Sequence, residues 1–182
     1  KTACGNRFKS WLKDLPGVSY DHRYVYDEIG YNLKPIDLQA SIGLQQIKKL
    51  PMFEAARRDN FNKLKAIFKP YEEFLYLPEP TKNSDPCWFG FLMTIKENSP
   101  FKKQQLVDFL ESNRIQTRSY FAGNILYHPG YSELAKRHAN FNFPVSRLVT
   151  TNSFFLGTFI GITEEKMNYI KSVVDRFFLE YK

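Results

Sequence analysis

The 182-residue sequence has little of several features that define protein classes. Two cysteines are too few for a disulfide framework, so a reducing compartment, the cytoplasm, is expected. No apolar run approaches the ~18 residues of a membrane span, so no membrane partner is expected. There is no Gly-rich phosphate loop with Lys, no nucleophile elbow and no His-Glu-x-x-His helix, which excludes several common enzyme classes. Three histidines, far apart in the sequence, predict no metal site.

Apolar and basic residues are plentiful instead. Hydrophobic residues make up 43% of the chain and aromatic residues 16%, which excludes a disordered or collagen-like protein. Lysine and arginine exceed aspartate and glutamate by 26 to 19, a net charge of +7. That charge suits an anionic partner such as phosphate, or simply a well-solvated surface. The basic pairs are scattered and form no long block, so no nucleic-acid partner is expected.

The chain divides into three parts by its patterning. Residues 1–34 have no sustained periodicity, are rich in aromatics, and are expected to pack as irregular chain. Pro35 and Pro51 begin two helices, the second reaching about Phe68, and the prolines that follow indicate a linker. The predicted parts are therefore residues 1–34, connecting helices over 35–70, and a small α/β domain over 71–182.

The apolar stripe of the first helix predicts a packed face. Its members recur at helical spacing, and Gly43 on the same stripe predicts close approach of another backbone. Two helices with such faces need a surface to pack against. The stripe is Ile36, Ala40, Gly43, Leu44, Ile47 and Leu50.

The last part alternates strands with helices. Residues 87–95 are apolar at both alternating sets of positions, which predicts a strand covered on both faces and a buried thiol at Cys87. Residues 115–121 and 153–160 predict two more strands. Helices are predicted after Ser99-Pro100, Ser132, Pro144 and Thr163.

Two short segments have the composition of binding loops. Residues 30–34, Gly-Tyr-Asn-Leu-Lys, precede a helix N-terminus, where an amide and a cation favour a phosphate. Residues 120–124, Tyr-Phe-Ala-Gly-Asn, follow a predicted strand, where ligands of α/β folds often bind. Both segments also suit a purely local role, as a helix cap or as a turn whose Asn bonds its own backbone.

Together these segments resemble the DegT-type sugar aminotransferase family, fold-type I enzymes that use pyridoxal phosphate on nucleotide sugars. Residues 30–47, GYNLKPIDLQASIGLQQI, carry the resemblance most clearly. Three stretches resemble the 3-dehydrase branch, which deoxygenates a nucleotide-linked 4-keto-6-deoxyhexose for lipopolysaccharide and dideoxysugar synthesis. They are TACGNRF at 2–8, YDHRY at 20–24 and QTRSYFAGN at 116–124. Residues 154–163 also resemble that branch, where its pattern is TFWIGVYPGLT, but Ile160 stands in place of the proline of that pattern. In the first stretch, Asn6 stands where the branch has Lys.

The resemblance implies a C-terminal small domain of a fold-type I transferase, with the interdomain helices that precede it. Its large domain and catalytic residues would lie upstream of Lys1. The chain is then expected to contain no catalytic residue, to bind no cofactor by itself and to be inactive alone.

The resemblance also implies the cofactor. In the dehydrase branch a His replaces the Schiff-base Lys, and the cofactor works as pyridoxamine phosphate. One subgroup receives electrons from a reductase through a [2Fe–2S] cluster held by four cysteines, and Cys4 matches the last of these.

Site residues follow from the same motifs. Asn32, with Lys34 as helper, matches the amide near the cofactor phosphate of a neighbouring subunit, which implies a homodimer. Arg118 and Asn124 match the side of the cleft where the nucleotide sugar lies. Weaker substrate-side candidates are Tyr120, Phe121 and His128.

Two other readings remain open. A transaminase of the same family would have Lys at the cofactor position. A free-standing basic α/β binding module would fit the charge and the alternation of strands and helices, although it leaves the two helices of residues 35–70 without a surface.

Overall fold

The computed structural model describes residues 8–10, 12, 14–21, 25, 30–31, 33 and 35–181. Residues 1–45 and 46–182 form two compact units. The three-part division expected from the sequence stays a prediction. Among the described residues, no helix is both long and apolar enough to cross a bilayer.

The first unit contains a small hairpin and most of a helix. Strands β1 (Phe8–Lys9) and β2 (Tyr20–Asp21) pair antiparallel, so this part is less irregular than expected. Helix α1 (Asp37–Ile47) follows and has no buried residue. A Cβ added at Gly43 would meet nothing within 4 Å. The predicted packed stripe therefore lies exposed, and the close approach predicted at Gly43 is absent from the described residues.

The second unit begins with helix α2 (Leu50–Phe68), which has Pro51 in its first turn, as predicted. A 3-10 turn (Lys69–Tyr71) leads to strand β3 (Leu75–Tyr76). Tyr71 and Leu75 are buried in the core. The prediction of a linker is therefore wrong for residues 69–76, because apolar side chains of this stretch form part of the core.

Four antiparallel strands form the sheet of the second unit, in the order β3-β4-β6-β5. Its central pair is β4 (Gly90–Ile95) and β6 (Ser153–Gly157). Strand β5 (Arg118–Ser119) is a short strand at the edge of this sheet and pairs with β6. The three predicted strands are thus confirmed, and each is shorter than the predicted 87–95, 115–121 and 153–160.

Helices α2, α3 (Lys103–Ser112) and α6 (Glu164–Phe178) supply the helical side of the core. Phe91, Met93 and Ile95 alternate along β4 on the face that meets these helices, and each is at most 1% exposed. Between them, Leu92 and Thr94 are only half-buried, so the prediction of a strand equally covered on both faces is wrong.

The other face of the sheet contains the β4 positions that alternate with these core residues. Leu92 pairs with Phe155 there, beside helix α5 (Pro144–Asn152). Helix α4 (Ser132–Arg137) follows two 3-10 turns, Ile125–Tyr127 and Pro129–Tyr131. The helices predicted after Ser132 and Pro144 are confirmed.

Cys87 is exposed, not buried. Strand β4 begins only at Gly90, which pairs with Gly157, so Cys87 lies ahead of the ladder and its side chain is left outside the core.

Candidate functional site

A tight loop connects β5 to the 3-10 turn Ile125–Tyr127 and contains three of the five substrate-side candidates. Phe121 has φ +45°, and its amide donates to the Ser119 carbonyl over 2.7 Å. Gly123 has φ +58°, and its amide donates to the Tyr120 carbonyl over 3.1 Å. A non-glycine residue in the left-handed region is uncommon and costs energy, so Phe121 is held there by its surroundings.

Helix α5 holds this loop through one hydroxyl. The backbone amide of Asn124 donates to Thr150 Oγ1 over 2.7 Å, and that hydroxyl donates to the Ser146 carbonyl over 2.7 Å. A Cβ added at Gly123 would lie 2.5 Å from Thr150 Oγ1. The loop backbone and α5 are therefore in close contact, which only a glycine at position 123 permits.

Asn124 has both a structural role and a free donor. It is 7% exposed, and its Oδ1 accepts a hydrogen bond from the Leu126 amide over 3.0 Å. This confirms the turn whose Asn bonds its own backbone. Within the described residues its Nδ2 donates no hydrogen bond, so that group remains available to a ligand.

His128 closes the loop from its far end. Its Nε2 lies 2.8 Å from the Ala122 carbonyl, which can only accept, so Nε2 is the donor in this contact. The ring is exposed. Its observed role is to fix the loop.

Arg118 lies in β5 with its side chain exposed, and its charge contributes to the environment of Glu111 at the end of α3. Glu111 Oε1 accepts from the Thr117 amide over 2.5 Å and from Thr117 Oγ1 over 2.7 Å. These two hydrogen bonds, with the Arg118 charge as a lesser cause, hold the pKa of the Glu111 carboxyl below its usual range. The carboxylate thus anchors the residue that precedes Arg118.

An apolar cleft of about 480 Å³ lies next to the loop, on the sheet face opposite helices α2, α3 and α6. Tyr120 and Phe121 line it, with Phe89 and Phe155. The Phe121 ring centroid lies 5.9 Å from that of Phe155 and 6.3 Å from that of Phe89. Stacked and tilted rings at these distances form a surface suited to a planar or apolar ligand group.

The cleft brings together only part of the predicted set. Tyr120 and Phe121 line it, while Arg118, Asn124 and His128 do not. Asn32, Lys34 and Cys4 lie outside the described residues, so their predicted roles stay predictions. No group of three or more His, Cys, Asp or Glu in the described part of the chain could hold a metal ion.

Sequence reasoning missed three contributors to this site. Phe89 and Phe155 are each part of a predicted strand. The apolar runs that contain them do not indicate that these two rings face a cleft. Thr150, which fixes the loop, had no signal in the sequence because its contact with Asn124 joins residues 26 positions apart.

Comparison with known proteins shows which family this chain resembles. The family model described as the DegT/DnrJ/EryC1/StrS aminotransferase family matches residues 12–175. The lipopolysaccharide biosynthesis protein RfbH of Salmonella typhimurium is 40% identical over 175 residues, covering 96% of this chain and 40% of that protein. The dTDP-4-dehydro-2,6-dideoxy-D-glucose 3-dehydratase of Saccharopolyspora spinosa is 40% identical over 174 residues, covering 96% and 37%.

Solved structures agree with this placement. A GDP-4-keto-6-deoxymannose-3-dehydratase variant with bound GDP-perosamine matches with a TM-score of 0.72 and 27% identity, covering 85% of this chain and 39% of that one. The same enzyme with a trapped PLP-glutamate geminal diamine matches with a TM-score of 0.70 and 28% identity, covering 84% and 39%. The chain thus has the α/β fold of part of the fold-type I PLP-dependent aminotransferases. It spans about 40% of the length of the curated relatives it matches, and it belongs to the DegT/DnrJ/EryC1/StrS aminotransferase family.

Proposed function

We propose that this chain is part of a nucleotide-sugar 3-dehydratase that depends on pyridoxamine or pyridoxal phosphate and removes the 3-hydroxyl of a 4-keto-6-deoxyhexose. The observation that carries the proposal is the loop of residues 118–128. It has the motif of the 3-dehydrase branch, and the structure fixes it beside an aromatic cleft. The RfbH and 3-dehydratase relatives, each 40% identical, support the same branch.

The loop residues divide the work of binding a nucleotide sugar. Arg118 offers an exposed cation for the diphosphate, to which a guanidinium can donate in a bidentate manner. Asn124 offers its unused Nδ2 as a donor. Tyr120 and Phe121 offer ring faces, and His128 keeps the loop in shape through Ala122. The cleft excludes water from whichever ligand group enters it, which strengthens the polar contacts at its edge.

The cofactor belongs to the proposal through the GYN segment. Asn32, with Lys34, would contact the cofactor phosphate, in a site shared between the two subunits of a homodimer. When bound, the cofactor supplies the electron sink that makes loss of a hydroxyl from a sugar possible. The further proposals are a [2Fe–2S] cluster with Cys4 among its ligands, an electron-donating reductase as partner, and a cytoplasmic location. We expect no turnover by the 182-residue chain alone.

A sugar aminotransferase is the second candidate. The family description itself names that activity, and the matched 3-dehydratase structure holds GDP-perosamine. The same loop would serve such an enzyme, because both reactions begin from a nucleotide-linked 4-keto sugar.

The test uses the whole protein that contains this segment, supplied with the cofactor, a reductant and a nucleotide-linked 4-keto-6-deoxyhexose. A product lacking the 3-hydroxyl supports the dehydratase. A 4-amino product formed from an amino donor would support the aminotransferase, and neither product would overturn both.

Arg118→Gln should lower kcat/KM about 10–100-fold, as the loss of charge-assisted hydrogen bonds to a diphosphate predicts. Arg137→Gln, an exposed change on α4 with the same loss of charge, is the matched control and should have no effect. Equal losses in the two variants would contradict the role of Arg118.

A further inference from the structure

A second, larger cleft lies at the end of β4. Its volume is about 740 Å³. Three elements form its walls: the end of β4 with the residues after it, the start of α3, and one side of α5. The lining includes Lys96, Lys102, Lys103 and Arg147, with Glu97 as the one carboxylate among the lining residues.

Two of these cations have partners that leave their charge uncompensated. Lys96 Nζ donates to the Glu72 carbonyl over 2.6 Å and lies 5.1 Å from the Tyr76 ring centroid. Lys103 Nζ donates to the Thr150 carbonyl over 3.2 Å. Burial without a carboxylate lowers the pKa of Lys103, the effect expected for an ammonium that lacks an anion.

The side chains of the other two cations, Lys102 and Arg147, form fewer polar contacts than those of Lys96 and Lys103. Within the described part of the chain, neither Lys102 nor Arg147 forms an ion pair or a hydrogen bond from its side-chain nitrogens. The contrast is with lysines elsewhere on the second unit, such as Lys63, Lys65 and Lys171, each within 3.1 Å of a carboxylate. Like charges around one concave surface raise its potential and draw in anions.

The size of the cleft and its donors define the anion. A volume near 740 Å³ is in the range of small-molecule sites and exceeds what one phosphate fills. A forked guanidinium and several ammonium groups suit phosphate oxygens spread over more than one phosphorus. Lining amides, including Asn142, add neutral donors for the rest of such a ligand.

Helix α5 separates this cleft from the loop of the proposed active site. Arg147, Leu148 and Thr151 line the basic cleft, whereas Ser146 and Val149 line a space beside the loop. Thr150 contacts both sides, because its carbonyl accepts from Lys103 and its hydroxyl accepts from Asn124. The basic cleft and the loop of residues 118–128 therefore lie on different sides of α5.

We propose that the basic cleft binds a small molecule that carries a diphosphate, at a site separate from the loop of residues 118–128. The proposal does not depend on which reaction the family member performs.

The experiment titrates the 182-residue chain with pyrophosphate, a nucleoside diphosphate and orthophosphate, using calorimetry and mapping of backbone amide shifts by NMR. We expect saturable binding of the two diphosphates, weaker binding of orthophosphate, and shifts concentrated at Lys102, Lys103 and Arg147. Amide mapping on the unchanged protein also tests the site without any substitution. Binding whose shifts lie only on residues 118–128 would overturn the proposal and assign the diphosphate to the other site.

The variant Lys102→Gln/Arg147→Gln should weaken diphosphate binding about tenfold or more, because two charge-assisted contacts are lost. Arg147→Lys, which keeps the charge and loses the fork, should fall between. Lys82→Gln is the control, since Lys82 is exposed and lines neither cleft.

Equal weakening by the control would overturn the proposal by showing diffuse attraction to the net positive surface. Equal affinity for orthophosphate would overturn the diphosphate assignment. Tighter binding of a short single-stranded DNA through the same residues would overturn it in favour of a polyanion surface.

Discussion

Single atoms decide the shape of the candidate loop. Thr150 Oγ1 accepts from the Asn124 backbone amide and lies 2.5 Å from where a Cβ of residue 123 would be, while Phe121 and Gly123 both have positive φ. A loop held by so few contacts is sensitive to each of them.

Gly123→Ala tests this sensitivity. The added Cβ would lie 2.5 Å from Thr150 Oγ1, and the alanine would have to adopt a φ of +58°. We expect a loss of about 2 kcal/mol in the free energy of unfolding, from backbone strain combined with displacement of Thr150. Urea unfolding followed by circular dichroism measures it.

Gly130→Ala is the matched control, because a Cβ there meets nothing within 4 Å. It should leave stability unchanged or slightly raised, since alanine restricts the unfolded chain. Equal stability of the two variants would mean that the loop is not held against α5.

Residue-level prediction from sequence was uneven for physical reasons. The turn at Asn124 could be predicted because an Asn side chain bonds its own backbone two residues on, a strictly local event. The exposure of Cys87 could not, because it depends on where the β4–β6 pairing starts, and that is fixed by the partner strand.

At the scale of elements, local bonds decide where strands stop. The predicted strand over 115–121 shortens to Arg118–Ser119. At its start, the Thr117 amide donates to the Glu111 carboxylate, and at its end Phe121 turns to φ +45°. Apolar patterning could not reveal either limit, whereas it correctly placed α2 and α6, whose buried stripes extend over several turns. Helix α3 exists as predicted but begins at Lys103, three residues after the predicted start at Pro100.

The contact between α3 and β5 should respond to pH. The folded pKa of Glu111 lies below its ordinary value of 4.5, so the carboxylate stabilises the fold above that value and this contribution is lost as pH falls through the folded pKa. We expect the Thr117 amide resonance to shift with a midpoint below 4.5, measured by NMR between pH 6 and the onset of acid unfolding. In Glu111→Gln that resonance should not titrate with this midpoint. A midpoint above the ordinary value would contradict the assigned cause.

At the scale of the whole chain, the core belongs to one unit. Within the part of the chain that the structure describes, every residue of the buried hydrophobic cluster lies between Phe61 and Phe178, and α1 contributes none. The sequence showed that α1 has an apolar stripe, but it could not show that the second unit completes its core without that stripe, because which surfaces meet is a property of the assembled fold.

A polypeptide from Gln46 to Lys182 should therefore fold by itself. We expect one cooperative urea transition, with a free energy of unfolding within about 1 kcal/mol of the full chain, because none of the described residues of the buried cluster is removed. Leu64→Ala in the same polypeptide gives the scale of a real core loss, since Leu64 is 0% exposed and its truncation should cost about 2–5 kcal/mol. A shorter polypeptide that unfolds without cooperativity, or that loses as much stability as Leu64→Ala, would show that residues 1–45 support the core. Retained stability would support a second unit whose core is complete without residues 1–45.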